Sequence, residues 1–348
     1  MILFTYLSYH FGDGMEIKMN TIVAAKIDVG KNKEISFIRL ISLGMIVVCH
    51  IMQYYDFVLA WWFNVGVQIF LCISGFLYGQ KNIRSVTKFY HQRIKKILIP
   101  YYLVILPFAI FEFLFKPTVI DFGKFTEAVV LHSRLKGAEH LWFIPTILMC
   151  YLITHLLQNY RDDYVKSKES WYKFSLFSVI LISSFFGIFN NFFDPACISC
   201  YALGYALGAN EKVSEVKNSY LIVLLGIIAV VGNSVQIYCE YIAHISFSGC
   251  KVIYDYNHVA LGTVIFLGLK QFLKYLKLEK IKGILDISDK YSYEVYLVHQ
   301  LIILGPFTLL VTTESIVINL ILVVIGIILL AILLKYSEKT IYKIIEKT

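Results

Sequence analysis

An arginine and a histidine stand eleven residues apart in one apolar segment of the chain. The stretch ISFIRLISLGMIVVCHIM, residues 35–52, contains Arg39 and His50. Eleven residues make about three turns of an α-helix, so the two side chains fall within roughly 20° of the same face, about 16 Å apart along the axis. This spacing predicts a helix face with a fixed cation near one end and a titratable base near the other. Snorkelling of Arg39 to lipid headgroups and a buried, satisfied His50 are the alternatives.

The composition indicates that this helix lies in a lipid bilayer. The chain has 348 residues, of which 58% are hydrophobic and 16% are charged. Soluble domains have about 45–50% apolar and about 25% charged residues. The net charge of +8 does not predict nucleic acid as a partner, because the basic residues lie between apolar segments and not on one basic domain.

Ten apolar segments predict an all-α polytopic membrane protein with about ten transmembrane helices. A span needs about 17–25 residues. The segments are residues 35–55, 57–79, 97–115, 141–158, 173–190, 195–209, 219–238, 256–275, 292–311 and 314–335. The fifth and sixth segments are short, and a re-entrant pair is the alternative there.

The basic residues predict that both termini are cytoplasmic. If the N-terminus is cytoplasmic and the spans alternate in direction, the outer segments contain only Lys116, Lys124, Arg134, Lys136 and Lys251. Nearly all other Lys and Arg residues then lie in cytoplasmic segments, as the positive-inside rule expects. Residues 1–32 are then an N-terminal cytoplasmic segment, of which 1–18 are a possible start-site artefact, and residues 33–348 form the membrane domain. The basic loop 80–96 is predicted either to anchor headgroups or to meet a phosphorylated ligand.

Four stretches resemble, in order, the signatures of the acyltransferase-3 family of membrane acyltransferases. RLISLGMIVVCH is similar to its first-helix motif, GVQIFLCISGFLYG to its second span, RIKKILIPYYLV to the start of its third span, and YSYEVYLVHQLI to its late Tyr-Leu-His segment. The chain departs from many polysaccharide-modifying members at Ile147, where those have a glutamate. It resembles a stand-alone branch without an appended extracytoplasmic domain.

The resemblance implies transfer of an acyl group, usually acetyl from acetyl-CoA, to a hydroxyl of an envelope polysaccharide or glycolipid, in a bacterial-type inner membrane. Arg39 and Arg93 would bind the phosphates of the donor, because a guanidinium binds phosphate through two hydrogen bonds. His50 would act as general base, or alternatively as a transient acyl-histidine. No metal is expected.

Other polar residues are candidates for contacts with the acceptor. Asn64 and Gln68 are spaced i, i+4 on the second span and are predicted to share a face at the depth of His50. Trp142 begins the fourth span from outside, and the resemblance favours a cavity-facing His299. For Asn64, Gln68 and His299 the alternative is a structural hydrogen bond between helices of the bundle.

The remaining chemistry-bearing residues give weaker predictions. Glu294 is expected to pair with a cation at the inner edge. Cys239 and Cys250 are predicted to share an outer loop, where a disulfide is possible. His132, His140, His244 and His258 are interpreted as outward-facing and too scattered to bind a metal. A transporter or flippase of a lipid-linked sugar or small anion is the alternative function.

Overall fold

The computed structural model describes residues 32–115, 122–131, 135–163, 194–210, 215–245 and 250–347. Within these ranges every regular element is helical, which confirms the predicted all-α class. The α-helices are α1 (Lys33–Tyr54), α2 (Ala60–Phe63), α3 (Gly66–Gly79), α4 (Val86–Phe115), α5 (Phe122–Val129), α6 (Phe143–Asp163), α7 (Pro195–Asn210), α8 (Glu215–Ile237), α9 (Cys250–Leu273), α10 (Lys282–Ile303) and α11 (Ile316–Ile345). Short 3-10 turns at Glu139–Trp142 and Leu278–Ile281 precede α6 and α10, and a π-turn at Tyr238–Ile242 follows α8.

Six helical segments in the described part of the chain are long and apolar enough to cross a bilayer. They are Lys33–Tyr54, Ala60–Gly79, Val86–Phe115, Glu139–Asn159, Tyr220–Ile242 and Ile316–Ile345. Each coincides with a predicted span. The protein is therefore a multi-pass membrane protein. The total of ten spans and the cytoplasmic termini stay predictions, since segment 173–190 and residues 1–31 lie outside the described residues.

The predicted spans 256–275 and 292–311 form a bent pair, Ile253–Leu273 with Leu278–Ile303, at an angle of 112°. Much of the stretch between the two predicted spans is helical, because α10 already begins at Lys282. The reason is a local apolar contact: Leu278 and Leu285 are buried in the same core cluster as Leu273. Burying these leucines folds the polar stretch into an amphipathic first half of α10.

Small residues hold α3 and α7 close together. Gly75 and Gly79 lie four residues apart on α3, and Gly204 and Gly208 have the same spacing on α7. A Cβ atom at Gly75 would overlap the backbone carbonyl oxygen of Tyr201. Such spacing lets two helix backbones approach each other closely. Close packing matters within a membrane because the hydrophobic effect does not drive helices together in lipid.

The centre of the bundle consists of α1, α3 and α10, with α6 and α7 beside them. Most residues of α3 are buried, so this helix is covered on nearly all sides. One core cluster includes Leu43 and Ile46 of α1, and a second includes Ile35 and Ile38 nearer its N-terminal end. Helix α1 therefore packs into both clusters, and the central helices carry the candidate site.

Candidate active site

A cavity of about 440 Å³ lies at the end of the bundle that contains Arg39. Both basic and acidic side chains line it: Arg39, Lys81, Arg93, Lys96, Lys290 and Lys335, with Asp289, Glu294 and Glu338. Basic groups outnumber acidic ones two to one, so the cavity attracts anions. We call it the basic cavity. It brings together the two arginines that the sequence predicts as a phosphate site.

Arg39 lines the basic cavity, but it is also half of an ion pair. Its Nη1 donates to Oδ1 of Asp289, and Ser36 Oγ donates to Oδ2 of the same carboxylate at 2.5 Å. The carboxylate side chain is only 5% exposed. The pair joins α1 to α10, so Arg39 has a structural role beside any contact with a ligand. Its predicted donor contact stays a prediction.

Arg93 presents a guanidinium with no carboxylate partner among the described residues. Its buried Nε has no hydrogen-bond acceptor in the described structure. The guanidinium carbon lies 5.4 Å from the ring centre of Tyr78 and 6.0 Å from that of Phe89, within cation–π range. Lys81, between α3 and α4, also lies over Tyr78 at 5.6 Å. Burial and the Arg93 guanidinium lower the pKa of the Lys81 amine.

A lysine between two glutamates forms the other wall of the basic cavity. Lys335 Nζ of α11 donates to Glu294 Oε1 at 2.7 Å and to Glu338 Oε2 at 2.8 Å. Both carboxylates are nearly buried. The predicted pairing of Glu294 with a cation is confirmed, and the pair ties α10 to α11.

Three histidines from distant parts of the chain meet further along the bundle. The ring centres are 5.0 Å apart for His50 and His299, 4.8 Å for His140 and His299, and 6.2 Å for His50 and His140. All three are buried, and His299 is fully so. We call them the histidine cluster. His140, which the sequence groups with three other outer histidines, is thus buried beside His50 and His299.

Hydrogen bonds fix each ring of the cluster. His50 Nδ1 donates to Gln53 Oε1 at 2.7 Å, and His299 Nδ1 donates to the carbonyl oxygen of Tyr296 at 2.7 Å. The Nε2 atom of His299 is buried without a partner in the described structure. A neutral imidazole that donates through one nitrogen has a lone pair on the other. His50 and His299 thus each keep Nε2 as a base.

His140 is held differently. Its Nδ1 faces Gln300 Oε1, and its Nε2 lies 2.9 Å from the carbonyl oxygen of Tyr296. The amide orientation of Gln300 is fixed, because the same oxygen accepts the backbone N–H of His140 at 2.9 Å. Both ring nitrogens face acceptors, and a neutral imidazole donates to one of them. These contacts fix the orientation of the His140 ring.

A tight backbone approach positions His140. Gly137 has a φ of 88°, a left-handed conformation that favours glycine. A Cβ atom there would overlap the Cα of Gly305, directly after α10. The turn that leads into α6 thus rests on the end of α10, beside Gln300. Sequence spacing holds no signal for this contact, because the two segments are about 160 residues apart.

A constriction separates the basic cavity from the histidine cluster. It encloses only about 10 Å³ and is lined by Ile46, Val67, Phe70, Phe143, Tyr293 and Tyr296. Three of these, Phe70, Phe143 and Tyr293, also line the basic cavity. Tyr296 contacts the rings of His140 and His299 at 5.2 and 5.7 Å. The constriction thus lies between the basic cavity and the histidine cluster and has room for about one water molecule.

That Asn64 and Gln68 share a helix face stays a prediction, and a short break in the helix, between α2 and α3, lies at Asn64 and Val65. Asn64 closes this break, with its carbonyl oxygen accepting the N–H of Val67 at 3.0 Å. Gln68 points towards α7, where its Nε2 lies 3.8 Å from Cys197 Sγ. The structure thus places both outside the histidine cluster.

Trp142 stands two residues after His140 and packs against the ring of Phe143 at 6.4 Å. The seven cysteines all lie in described residues and are unpaired, so the possible Cys239–Cys250 disulfide is not formed in the structure. Among the described residues, no group of His, Cys, Asp and Glu is arranged to hold a metal ion. His132 lies outside the described residues.

The described residues thus define a helical, multi-pass membrane protein with a basic cavity and a buried histidine cluster. The family model described as acyltransferase domain, Acyl_transf_3, matches residues 32–336, and the chain belongs to this acyltransferase-3 family. The protein is thus a membrane acyltransferase. No curated protein and no solved structure matches it significantly.

Proposed function

We propose that the protein moves an acetyl group from acetyl-CoA to a hydroxyl of a cell-envelope polysaccharide or glycolipid. The observation that carries the proposal is the order of groups along the bundle. On α1, Arg39 lines the basic cavity, Ile46 the constriction, and His50 belongs to the histidine cluster. Helix α10 repeats this order with Asp289, Tyr293 and His299.

The basic cavity suits the nucleotide end of the donor. Phosphates are attracted to clustered guanidinium and ammonium groups, and Arg93 is the arginine of this cavity without a carboxylate partner among the described residues. The rings of Tyr78 and Phe89 hold its guanidinium in place. The thin thioester arm would then extend towards the constriction. We place this end of the bundle in the cytoplasm, where acetyl-CoA is present, within a bacterial-type inner membrane.

The histidine cluster suits the proton transfer. In the direct route, His50 Nε2 takes the proton of the acceptor hydroxyl, and the oxygen attacks the thioester carbonyl carbon. The carbon–sulfur bond then breaks, and the thiolate leaves towards the basic cavity. An imidazole has an unperturbed pKa near 6.5, so a neutral base is available near neutral pH.

A further histidine supports this chemistry. The buried lone pair of His299 lies beside His50 and would accept a proton from it. In the second route, a histidine Nε2 attacks the thioester first and an acyl-histidine passes the acetyl group to the hydroxyl.

Transfer of label tests the proposal. Membranes that contain the protein are incubated with acetyl-CoA labelled in the acetyl group, and the envelope glycans and glycolipids are then isolated. The proposed enzyme labels one of these fractions, and matched membranes without the protein do not. A transporter or flippase of a lipid-linked sugar would leave all fractions unlabelled, and that result would contradict the proposal.

A further inference from the structure

The constriction is a small enclosed space whose lining residues also border the basic cavity and the histidine cluster. It encloses about 10 Å³, and a cavity of roughly 10–15 Å³ holds a single water molecule. Ile46 lies one turn, about 6 Å, before His50 on α1. An acyl group that moves along α1 from the basic cavity towards His50 would therefore meet the constriction.

The aromatic walls of the constriction are tied to other helices. Tyr293 donates its hydroxyl to the carbonyl oxygen of Ile97 at 2.9 Å, and Tyr296 donates to the carbonyl oxygen of His140 at 2.6 Å. The rings of Phe70 and Phe143 meet edge to face at 6.2 Å. These contacts resist the rotation that would widen the passage, because each tyrosine would lose a buried hydrogen bond.

The remaining walls are the aliphatic side chains of Ile46 and Val67, which are 2% and 4% exposed. The surface that faces the constriction is apolar. A carboxylate in this position would lose its hydration without gaining a partner, which is strongly unfavourable. A longer alkyl chain would need volume that the close-packed walls do not offer.

We infer that the constriction limits the transferred group to a short, uncharged acyl group, and that Ile46 and Val67 set this limit. The inference rests on the proposed function and deepens it, because it excludes succinyl and longer acyl donors. The basic cavity would bind the shared nucleotide end of every acyl-CoA alike. Selection between donors would take place at the constriction.

The test compares four donors, acetyl-CoA, propionyl-CoA, butyryl-CoA and succinyl-CoA, each labelled in the acyl group. Transfer into the envelope fraction is measured as kcat/KM. One methylene in a fitted apolar site changes kcat/KM by about 10–200-fold. For the wild-type protein we expect butyryl transfer to be at least about 100-fold slower than acetyl transfer, and no transfer of succinyl.

Two variants widen the passage, and a third serves as a matched control. Ile46→Ala and Val67→Ala should each raise the butyryl-to-acetyl ratio at least about 10-fold. Ile73→Ala removes the same atoms from a side chain that is equally buried but lines only the basic cavity, so its ratio should equal that of the wild type. The ratio is measured within one preparation, so it does not depend on how much of a variant folds.

Three results would overturn the inference. They are wild-type transfer of butyryl or succinyl as fast as acetyl, unchanged ratios in both widened variants, or an equal change in the Ile73→Ala control. If both widened variants fail to insert into the membrane, the inference is judged from the wild-type donor profile and from a narrowed variant, Val67→Ile. This variant should slow propionyl transfer more than acetyl transfer. Absence of label from all four donors would instead overturn the proposed function itself.

Discussion

The basic cavity and the histidine cluster share helices α1 and α10 but stabilise their polar groups in different ways. In the cavity, carboxylates pair with Arg39 and Lys335, and these two cations stay partly accessible. In the cluster, amide and backbone oxygens hold the imidazole rings, which are buried. The cavity is thus suited to reversible binding of an anion. The cluster is suited to proton transfer, because rigid neutral acceptors fix each ring without a carboxylate.

This comparison predicts that changes in the cluster act on kcat and changes in the cavity act on KM. The largest effect is expected for His50→Ala, which should lower kcat by about 10²–10⁴, the usual contribution of a general base. Label transfer from acetyl-CoA measures it. Cys49→Ala changes a buried neighbour on the same helix and should stay within a few-fold of the wild type. Near-normal transfer by His50→Ala, at equal amounts in the membrane, would contradict the proposed role.

Two buried glutamines sharpen the comparison. Gln300 holds His140, and Gln158 holds the cavity loop by accepting the N–H of Ile83 at 2.7 Å. Both Gln→Ala variants lose buried hydrogen bonds, and each buried polar group left without a partner lowers the free energy of unfolding by about 1–3 kcal/mol. We expect Gln300→Ala to lower kcat about 10–100-fold with little change in KM, and Gln158→Ala to raise KM with little change in kcat. Equal effects of the two variants on kcat would show that loss of packing alone explains the result.

The two arginines of the cavity should respond differently to removal. Arg93→Ala should raise KM for acetyl-CoA about 10-fold, because a charge-assisted hydrogen bond contributes about 1.5–3 kcal/mol, and should leave thermal stability nearly unchanged. Arg39→Ala should raise KM as well, and it should also lower the free energy of unfolding by about 3 kcal/mol, because the nearly buried Asp289 loses its cation. Thermal unfolding in detergent and initial rates measure both. A wild-type melting temperature for Arg39→Ala would argue against the structural ion pair.

The smallest effect concerns ionic strength. Raising the salt concentration from about 0.05 M to about 0.5 M should raise KM for acetyl-CoA roughly 2–5-fold, because salt screens the attraction between phosphates and the partly accessible basic groups. The value of kcat should stay constant, since the buried histidines are shielded from solvent ions. A fall in kcat with an unchanged KM would reverse the assignment of the two regions.

Much of the site follows from patterns within single helices. The eleven-residue spacing of Arg39 and His50 predicts a common face, and the structure places both along the route from the basic cavity to the cluster. The pairing of Glu294 with a cation is also predictable, because a carboxylate at the edge of a span needs a partner. Such predictions succeed because helix periodicity is a local property of the chain.

Other features depend on the meeting of distant segments. His140 is only one of several histidines near predicted outer segments, and nothing in its own neighbourhood points to Gln300 or His299. The short break between α2 and α3 is likewise not marked by a proline in the sequence. The cationic partner of Glu294, Lys335, lies 41 residues further along the chain.

The sequence by itself determines a membrane-spanning helical chain, its likeness to an acyltransferase family, and the face that carries Arg39 and His50. Composition and periodicity suffice for these, since each arises from residues within a few turns of one helix. Only the tertiary structure decides that His140 completes the histidine cluster, that Asp289 forms an ion pair with Arg39, and that a constriction lies between the basic cavity and the histidine cluster. These depend on how closely separate helices approach, and that distance is set by the packing of small residues such as Gly75 and Gly137 against distant backbones.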